Sequence, residues 1–264
     1  MAHGITEEPG ASGDAELERD ARMTLMEHLV ELRNRIVISL AAVFAFSIIG
    51  FMLYETITDF LTGPLTNASS NLKQCKAADA NCSKLITTDF LSPFVVRLKL
   101  ASYFGVLCSS PIVMWQIWRF VTPALNAKER KYALPFIATS TTLFAAGVTT
   151  AWFTLEKALQ FLISIGGGNI NVQSTADSYV TLVGLIFLGF GLSFQFPVLL
   201  VCLLLARVVT TASLRKYRRH AIVGIVVFAA VITPSQDPYT LFLMAGPMWL
   251  FYETSIVIGR VMKR

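Results

Sequence analysis

The stretch from Ser178 to Ala206, SYVTLVGLIFLGFGLSFQFPVLLVCLLLA, carries no Asp, Glu, Lys or Arg. A helix rises about 1.5 Å per residue, and about 20 residues cross the ~30 Å hydrocarbon core of a bilayer. This one segment is therefore long enough to span. Three other charge-free stretches, 36–54, 100–118 and 132–155, are close to that length or beyond it. The composition agrees. Of 264 residues, 54% are hydrophobic and only 15% charged, against about 25% charged in an ordinary soluble domain, and the mean hydropathy is +0.60. A disordered chain is excluded and a soluble globular domain disfavoured. The chain reads as an all-α, polytopic membrane protein.

Beyond Ala206 comes a basic stretch, 207–220, and then two shorter apolar runs, 221–233 and 239–258, separated by the turn-rich Thr-Pro-Ser-Gln-Asp-Pro at 233–238. The run 221–233 reaches only about 20 Å as a helix. It suits either a re-entrant hairpin or a short span in a locally thinned bilayer. The expectation is six transmembrane helices, the last two short. Lys and Arg of short loops stay on the cytoplasmic side. With six spans, sixteen of the 22 fall on one side, including Arg33, Arg35, Arg119, Lys128, Arg215 and Arg260. The other side holds Lys73, Lys76, Lys84, Arg97, Lys99 and Lys157. Both termini are thus expected in the cytoplasm, and the net charge of +5 follows from topology and is no nucleic-acid signal.

Residues 1–22 hold Glu7, Glu8, Asp14, Glu16, Glu18 and Asp20 with few apolar side chains. They are expected to form a disordered acidic cytoplasmic tail, with the membrane domain occupying 23–264. Neither a cationic start nor a cleavage site marks this tail as a removed signal. On the opposite face, a long loop over about 55–96 contains Cys75 and Cys82. An oxidising compartment would favour a disulfide between them; two free thiols are the alternative. Cys108 and Cys202 lie within spans and read as packing residues.

Catalytic signatures are missing. There is no H-E-x-x-H or G-x-S-x-G pattern, and the four cysteines lack metal-site spacing, so neither enzyme chemistry nor a cofactor is expected. A secondary transporter is the rival reading, since six spans can form two inverted repeats. Such proteins mark their ion paths with acids in mid-membrane. Here Glu156, Asp177, Asp237 and Glu253 sit near span ends, and Gln195 is the main strongly polar residue deep in a span.

Polar residues gather instead on the expected cytoplasmic face. In 24–36, Leu25, Leu29, Leu32 and Ile36 recur at helical spacing, and the other face carries His28, Glu31 and Arg35. Glu31 and Arg35 are placed for an i,i+4 pair. The plain reading is a solvated interfacial face. The following inner loop, 119–131, has Glu129 as its sole acid beside Arg119, Lys128, Arg130 and Lys131, while Trp115 and Trp118 mark the interface.

Six ordered motifs carry a resemblance: His28-Leu-Val-Glu-Leu-Arg-Asn-Arg35; Ser92-Pro-Phe94 with Lys99; Ser110-Pro-Ile-Val-Met-Trp-Gln-Ile-Trp-Arg-Phe-Val-Thr-Pro-Ala-Leu125 with Lys128-Glu-Arg130; Phe190-Gly-Leu-Ser-Phe-Gln-Phe-Pro197; Thr233-Pro234 with Asp237; and Pro247 with Glu253. Over roughly 24–260 the chain resembles TatC, the multispanning core of the twin-arginine protein translocase. The resemblance implies a receptor for twin-arginine signal peptides on folded cargo, driven by the proton gradient or membrane potential. It also implies TatA-like and TatB-like single-span partners, self-association, and a multi-pass location in the inner cell membrane. By matching position, Glu31 and Glu129 would receive the two arginines, with His28, Leu32, Arg33 and Phe120 in support. Pro64 and Asp237 match outer-loop positions. The chain departs from the family at Gln195, where Glu is frequent, at Leu241, where Gln is frequent, and in a stretch between Pro234 and Asp237 one residue longer than in some members. An amide in hydrocarbon is costly unless paired, so Gln195 is expected to dock a polar residue of a partner helix. The alternative is a hydrogen bond to a neighbouring span of its own chain.

Overall fold

The structure is a computed structural model that describes residues 11–71, 85–87, 89–121, 133–165, 175–205, 208–233 and 237–261. Within them lie helices α1 (Ala11–Met52), α2 (Tyr54–Asn71), α3 (Ser92–Val121), α4 (Ala133–Ile165) and α5 (Ala176–Ser193). These are followed by α6 (Phe196–Leu205), α7 (Thr211–Lys216), α8 (Arg218–Ile232) and α9 (Pro238–Val261). Among the described residues there is no strand, only an isolated bridge between Ile86 and Thr175. The chain is all-α, as its charge-free stretches require. Helix α1 begins at Ala11, inside the segment assigned to the acidic tail; residues 1–10 and the pair Cys75 and Cys82 lie outside the described residues.

Among the described residues, five segments are long and apolar enough to cross a membrane: Leu29–Met52, Ser92–Phe120, Leu134–Ile165, Ala176–Leu205 and Pro238–Arg260. Helix α8, with 15 residues, reaches about 22 Å and is the short one. Helix α9, with 24, is shorter than α3 and α4 but extends beyond its apolar run at both ends. Within the quoted stretch, 178–205 is a kinked span rather than a straight rod. Pro197 has no N–H for the Ser193 carbonyl and disfavours helical backbone at the residue before it. The chain therefore turns at Phe194–Gln195, where the Gln195 N–H bonds Leu192 O at 3.0 Å, and α6 restarts with Leu199 N–H on Gln195 O at 3.0 Å.

Caps define other ends. Thr175 Oγ1 accepts from the Ser178 N–H at the start of α5, and Thr210 Oγ1 from the Ser213 N–H at the start of α7. Asp237, fully buried, accepts from the Thr240 N–H at 2.7 Å through Oδ1, placing a carboxylate at the positive end of α9. Helices α1 and α2 are interrupted at Leu53. There Arg97 of α3 donates to the Phe51 carbonyl at 3.0 and 3.2 Å, and its guanidinium lies 4.3 Å from the Phe51 ring centre. Pro64 is buried within α2.

Lipid tails are as apolar as leucine, so helices associate in a bilayer through close packing and interhelical hydrogen bonds. Two glycines show this. A Cβ on Gly105 would stand 2.8 Å from Val43 O and 2.9 Å from Ser47 N, so α3 presses against the α1 backbone. A Cβ on Gly147 would stand 2.7 Å from Phe190 O, so α4 does the same to α5. The main core joins α4, α5, α6, α8 and α9 around Leu155, Tyr179, Phe190, Leu204, Met248 and Ile256. Helix α1 packs chiefly on α3 and leaves Val37, Leu40 and Phe44 exposed, the pattern of a span with lipid on its other faces.

Candidate functional site

The middle of α1 runs beside the C-terminal end of α3, and there the polar residues converge. Arg35 joins the two helices. Its Nη2 donates to Glu31 Oε1 at 3.0 Å, one turn back on α1, and its Nη1 donates to Gln116 Oε1 at 3.1 Å on α3. The i,i+4 spacing places the carboxylate and the guanidinium on one face; only the tertiary packing adds Gln116. Gln116 is buried. The Glu31 side chain is 34% exposed and that of Arg35 17%, so the carboxylate faces outward and the guanidinium is more nearly enclosed. Among the described residues the buried Arg35 Nε has no hydrogen-bond partner.

The other expected site residues divide. Leu32 is half-buried and Arg33 exposed on α1; Phe120 is half-buried at the end of α3. His28 lies in α1, with its side chain outside the described residues, and Glu129 lies outside them altogether. Helix α3 ends at Val121 and α4 begins at Ala133, at the same end of the bundle as Glu31. Next to it the buried Trp118 stacks on Phe136 of α4 with ring centres 4.8 Å apart.

Gln195 behaves differently from the expectation of a docking residue. Its Oε1 accepts from Ser140 Oγ at 2.6 Å and its Nε2 donates to the Ser140 carbonyl at 2.9 Å. Both ends of the amide are met by α4 of the same chain. Gln195 thus takes the alternative arrangement, a hydrogen bond to a neighbouring span of its own chain: the kink at Pro197 turns the side chain toward α4, where a serine answers it.

Further interhelical links were not read from the sequence. Lys99 on α3 donates to Asp177 Oδ1 at 2.7 Å and to Thr181 Oγ1 at 3.2 Å on α5. Arg218 at the start of α8 donates to Glu253 Oε2 of α9 at 2.5 Å. Tyr252 donates to the Leu214 carbonyl at 2.6 Å, tying α9 to α7. In each ion pair, opposite charges near span ends were a visible signal, but their pairing was not. Among the described residues no group of His, Cys, Asp or Glu could hold a metal ion.

The family model described as Sec-independent protein translocase protein (TatC) matches residues 27–247. A relative from Frankia casuarinae, Sec-independent protein translocase protein TatC, is 40% identical over 91% of this chain, which spans 66% of that relative's length. The same-named protein of Carboxydothermus hydrogenoformans is 34% identical over 92% of this chain and 96% of its own. Among solved structures, a crystal structure of the twin-arginine translocase receptor TatC superposes with a TM-score of 0.73 at 32% identity, covering 90% of this chain and all of that one.

Proposed function

The chain belongs to the TatC family of Sec-independent protein translocase proteins, and from that premise we propose that it is the receptor and core subunit of a twin-arginine translocase. It is a multi-pass helical membrane protein of a protein-transport family. Glu31 and Glu129 take the two arginines of a signal peptide, and His28, Leu32, Arg33 and Phe120 shape the surrounding surface. The observation that carries this reading is the Glu31 carboxylate, one-third exposed on α1 beside the end of α3. A guanidinium is best met by a carboxylate in a two-bond fork. Two carboxylates from separate segments distinguish a double arginine from a single one, because losing one partner leaves a charge unpaired.

The receptor face is cytoplasmic in this reading, as are both termini, and the cell's inner membrane is the host. Support comes from the uneven distribution of Lys and Arg. TatA-like and TatB-like single-span subunits and further copies of this chain complete the translocon, and the proton gradient or membrane potential supplies the energy. The role asks for binding and assembly and for no bond-making step. The test is peptide binding to the purified full chain. Glu31→Ala and Glu129→Ala should each weaken a twin-arginine peptide by at least about 1.5 kcal/mol, the low end for a charged hydrogen bond. Binding equal to wild type in both variants would sink the assignment.

A further inference from the structure

No Asp or Glu lies between Asp177 and Asp237. Within that interval four cations, Arg215, Lys216, Arg218 and Arg219, flank the bend at Tyr217 where α7 gives way to α8. One of them is answered, since Arg218 donates to Glu253 of α9. The other three are exposed and have no ion pair among the described residues. Helix α7 descends along α9 beneath them. Thr211 lies so close to Gly259 that a Cβ there would collide with it, the carbonyl of buried Leu214 accepts from Tyr252, and Arg218 meets Glu253. The cluster is therefore fixed to the bundle. It stands at Glu253, about 10 Å along α9 short of Arg260 in that helix's last turn.

Buried Ile225 and Ala229 mark the face that α8 turns to the bundle. The opposite face is continuous with the cations. The Tyr217 N–H bonds Ser213 O and the Ala221 N–H bonds Tyr217 O, so helical phase carries through the bend. Positions 215, 216, 219, 222, 223 and 226 then share one side: two arginines and a lysine, followed by Ile222, Val223 and Val226, all exposed. Tyr217, 51% exposed, stands at the boundary, as tyrosines do at a membrane surface. Charges set back from the end of the bundle beside a short helix are best met by lipid phosphates drawn in around it.

We propose that the α7–α8 bend is a binding site for an anionic phospholipid, its headgroup held by Arg215, Lys216 and Arg219 and an acyl chain laid along Ile222, Val223 and Val226. A surface cation strengthens attraction to anionic lipid about fivefold, and here three act from one platform with no competing carboxylate. Arginine adds a planar fork that matches phosphate oxygens. A zwitterionic lipid brings its own cation to the same place and loses most of this gain. The aliphatic side chains below the cations favour a lipid over free phosphate. This lipid site stands apart from the peptide site and does not depend on it.

The full chain in a zwitterionic detergent is titrated with phosphatidylglycerol or phosphatidylcholine, and bound lipid is counted by native mass spectrometry. The wild type should hold one phosphatidylglycerol about tenfold more tightly than phosphatidylcholine. Arg215→Gln with Arg219→Gln should weaken phosphatidylglycerol about tenfold or more, from about fivefold per cation. Arg119→Gln with Lys157→Gln, the same change of charge elsewhere, should weaken it less than about twofold. Equal losses in the two double variants would mean diffuse attraction, and equal affinity for the two lipids would mean no charge recognition; either overturns the proposal. Excess inorganic phosphate should leave the lipid bound, and its displacement would make this a free-anion site and refute the lipid. Should Arg215→Gln with Arg219→Gln fail to accumulate, a photoreactive phosphatidylglycerol on the wild type decides. Its crosslinks should map to 212–226, and crosslinks confined to other segments would refute the site.

Discussion

Replacing Ser140 by alanine removes the hydroxyl that meets Gln195 Oε1 at 2.6 Å and leaves the 2.9 Å bond from Nε2 to the Ser140 carbonyl in place. Ser140 is 1% exposed, so no solvent replaces the lost donor. Interhelical hydrogen bonds inside membrane proteins average about 0.6 kcal/mol and reach about 1.7, and an unmet buried acceptor costs about 1–3. Ser140→Ala should therefore destabilise by about 1–1.5 kcal/mol. Gln195→Leu should cost less, about 0.5 kcal/mol, because the freed Ser140 hydroxyl can turn back on its own helix. Thr142, Thr149 and Thr150 of α4 already donate to the carbonyl four residues earlier at 2.8 Å. Since the amide is then gone, adding Ser140→Ala to Gln195→Leu should cost almost nothing more, which gives a coupling near 1 kcal/mol in a double-mutant cycle. Reversible unfolding in bicelles, followed by steric trapping, reads these differences. Additive single costs, or a Gln195→Leu penalty exceeding that of Ser140→Ala, would show that the amide's principal mate is elsewhere. Crosslinks from position 195 to a second subunit would then restore the docking role.

Other consequences of the fold can be checked as directly. Gly105→Ala should lower thermal stability in detergent by about 1–3 kcal/mol, the usual cost of overpacking, while Gly246→Ala, whose Cβ meets nothing within 4 Å, should be neutral or slightly stabilising. The Lys99–Asp177 pair, both side chains more than a third exposed, should show a coupling of about 1 kcal/mol or less in a cycle of Lys99→Met and Asp177→Asn; several kcal/mol would mean that it sits dry inside the bilayer. Single cysteines introduced near 128, 213 and 262 in a cysteine-free background should react with impermeant thiol reagents only from the cytoplasmic face, and labelling of 213 from outside would reverse the span count.

How much was legible in the sequence differs between the bundle and its contacts. Absence of charge over 36–54, 100–118, 132–155 and 178–206 determined that these segments are membrane helices, because an unpaired charge or an unbonded backbone in hydrocarbon costs too much for any other arrangement. The Glu31–Arg35 pair was equally visible, since helical spacing alone brings i and i+4 together. The break at Phe194–Gln195 lies where the missing N–H of Pro197 requires it. Spacing along one helix, however, carries no information about the helix opposite. Gln116 stood inside a quoted motif without a role until α3 lay beside α1 and offered its amide to Arg35. Gln195 was expected to look outward for a partner, and the side of the kink that faces Ser140 was decided by the close approach of α4 to α5 at Gly147. Lys99 with Asp177, and Arg218 with Glu253, were known as charges near span ends and became pairs only through packing. Local chemistry and the solvent set which segments cross the membrane; which side chains meet between them depends on rotations and separations of whole helices, and those are properties of the assembled bundle.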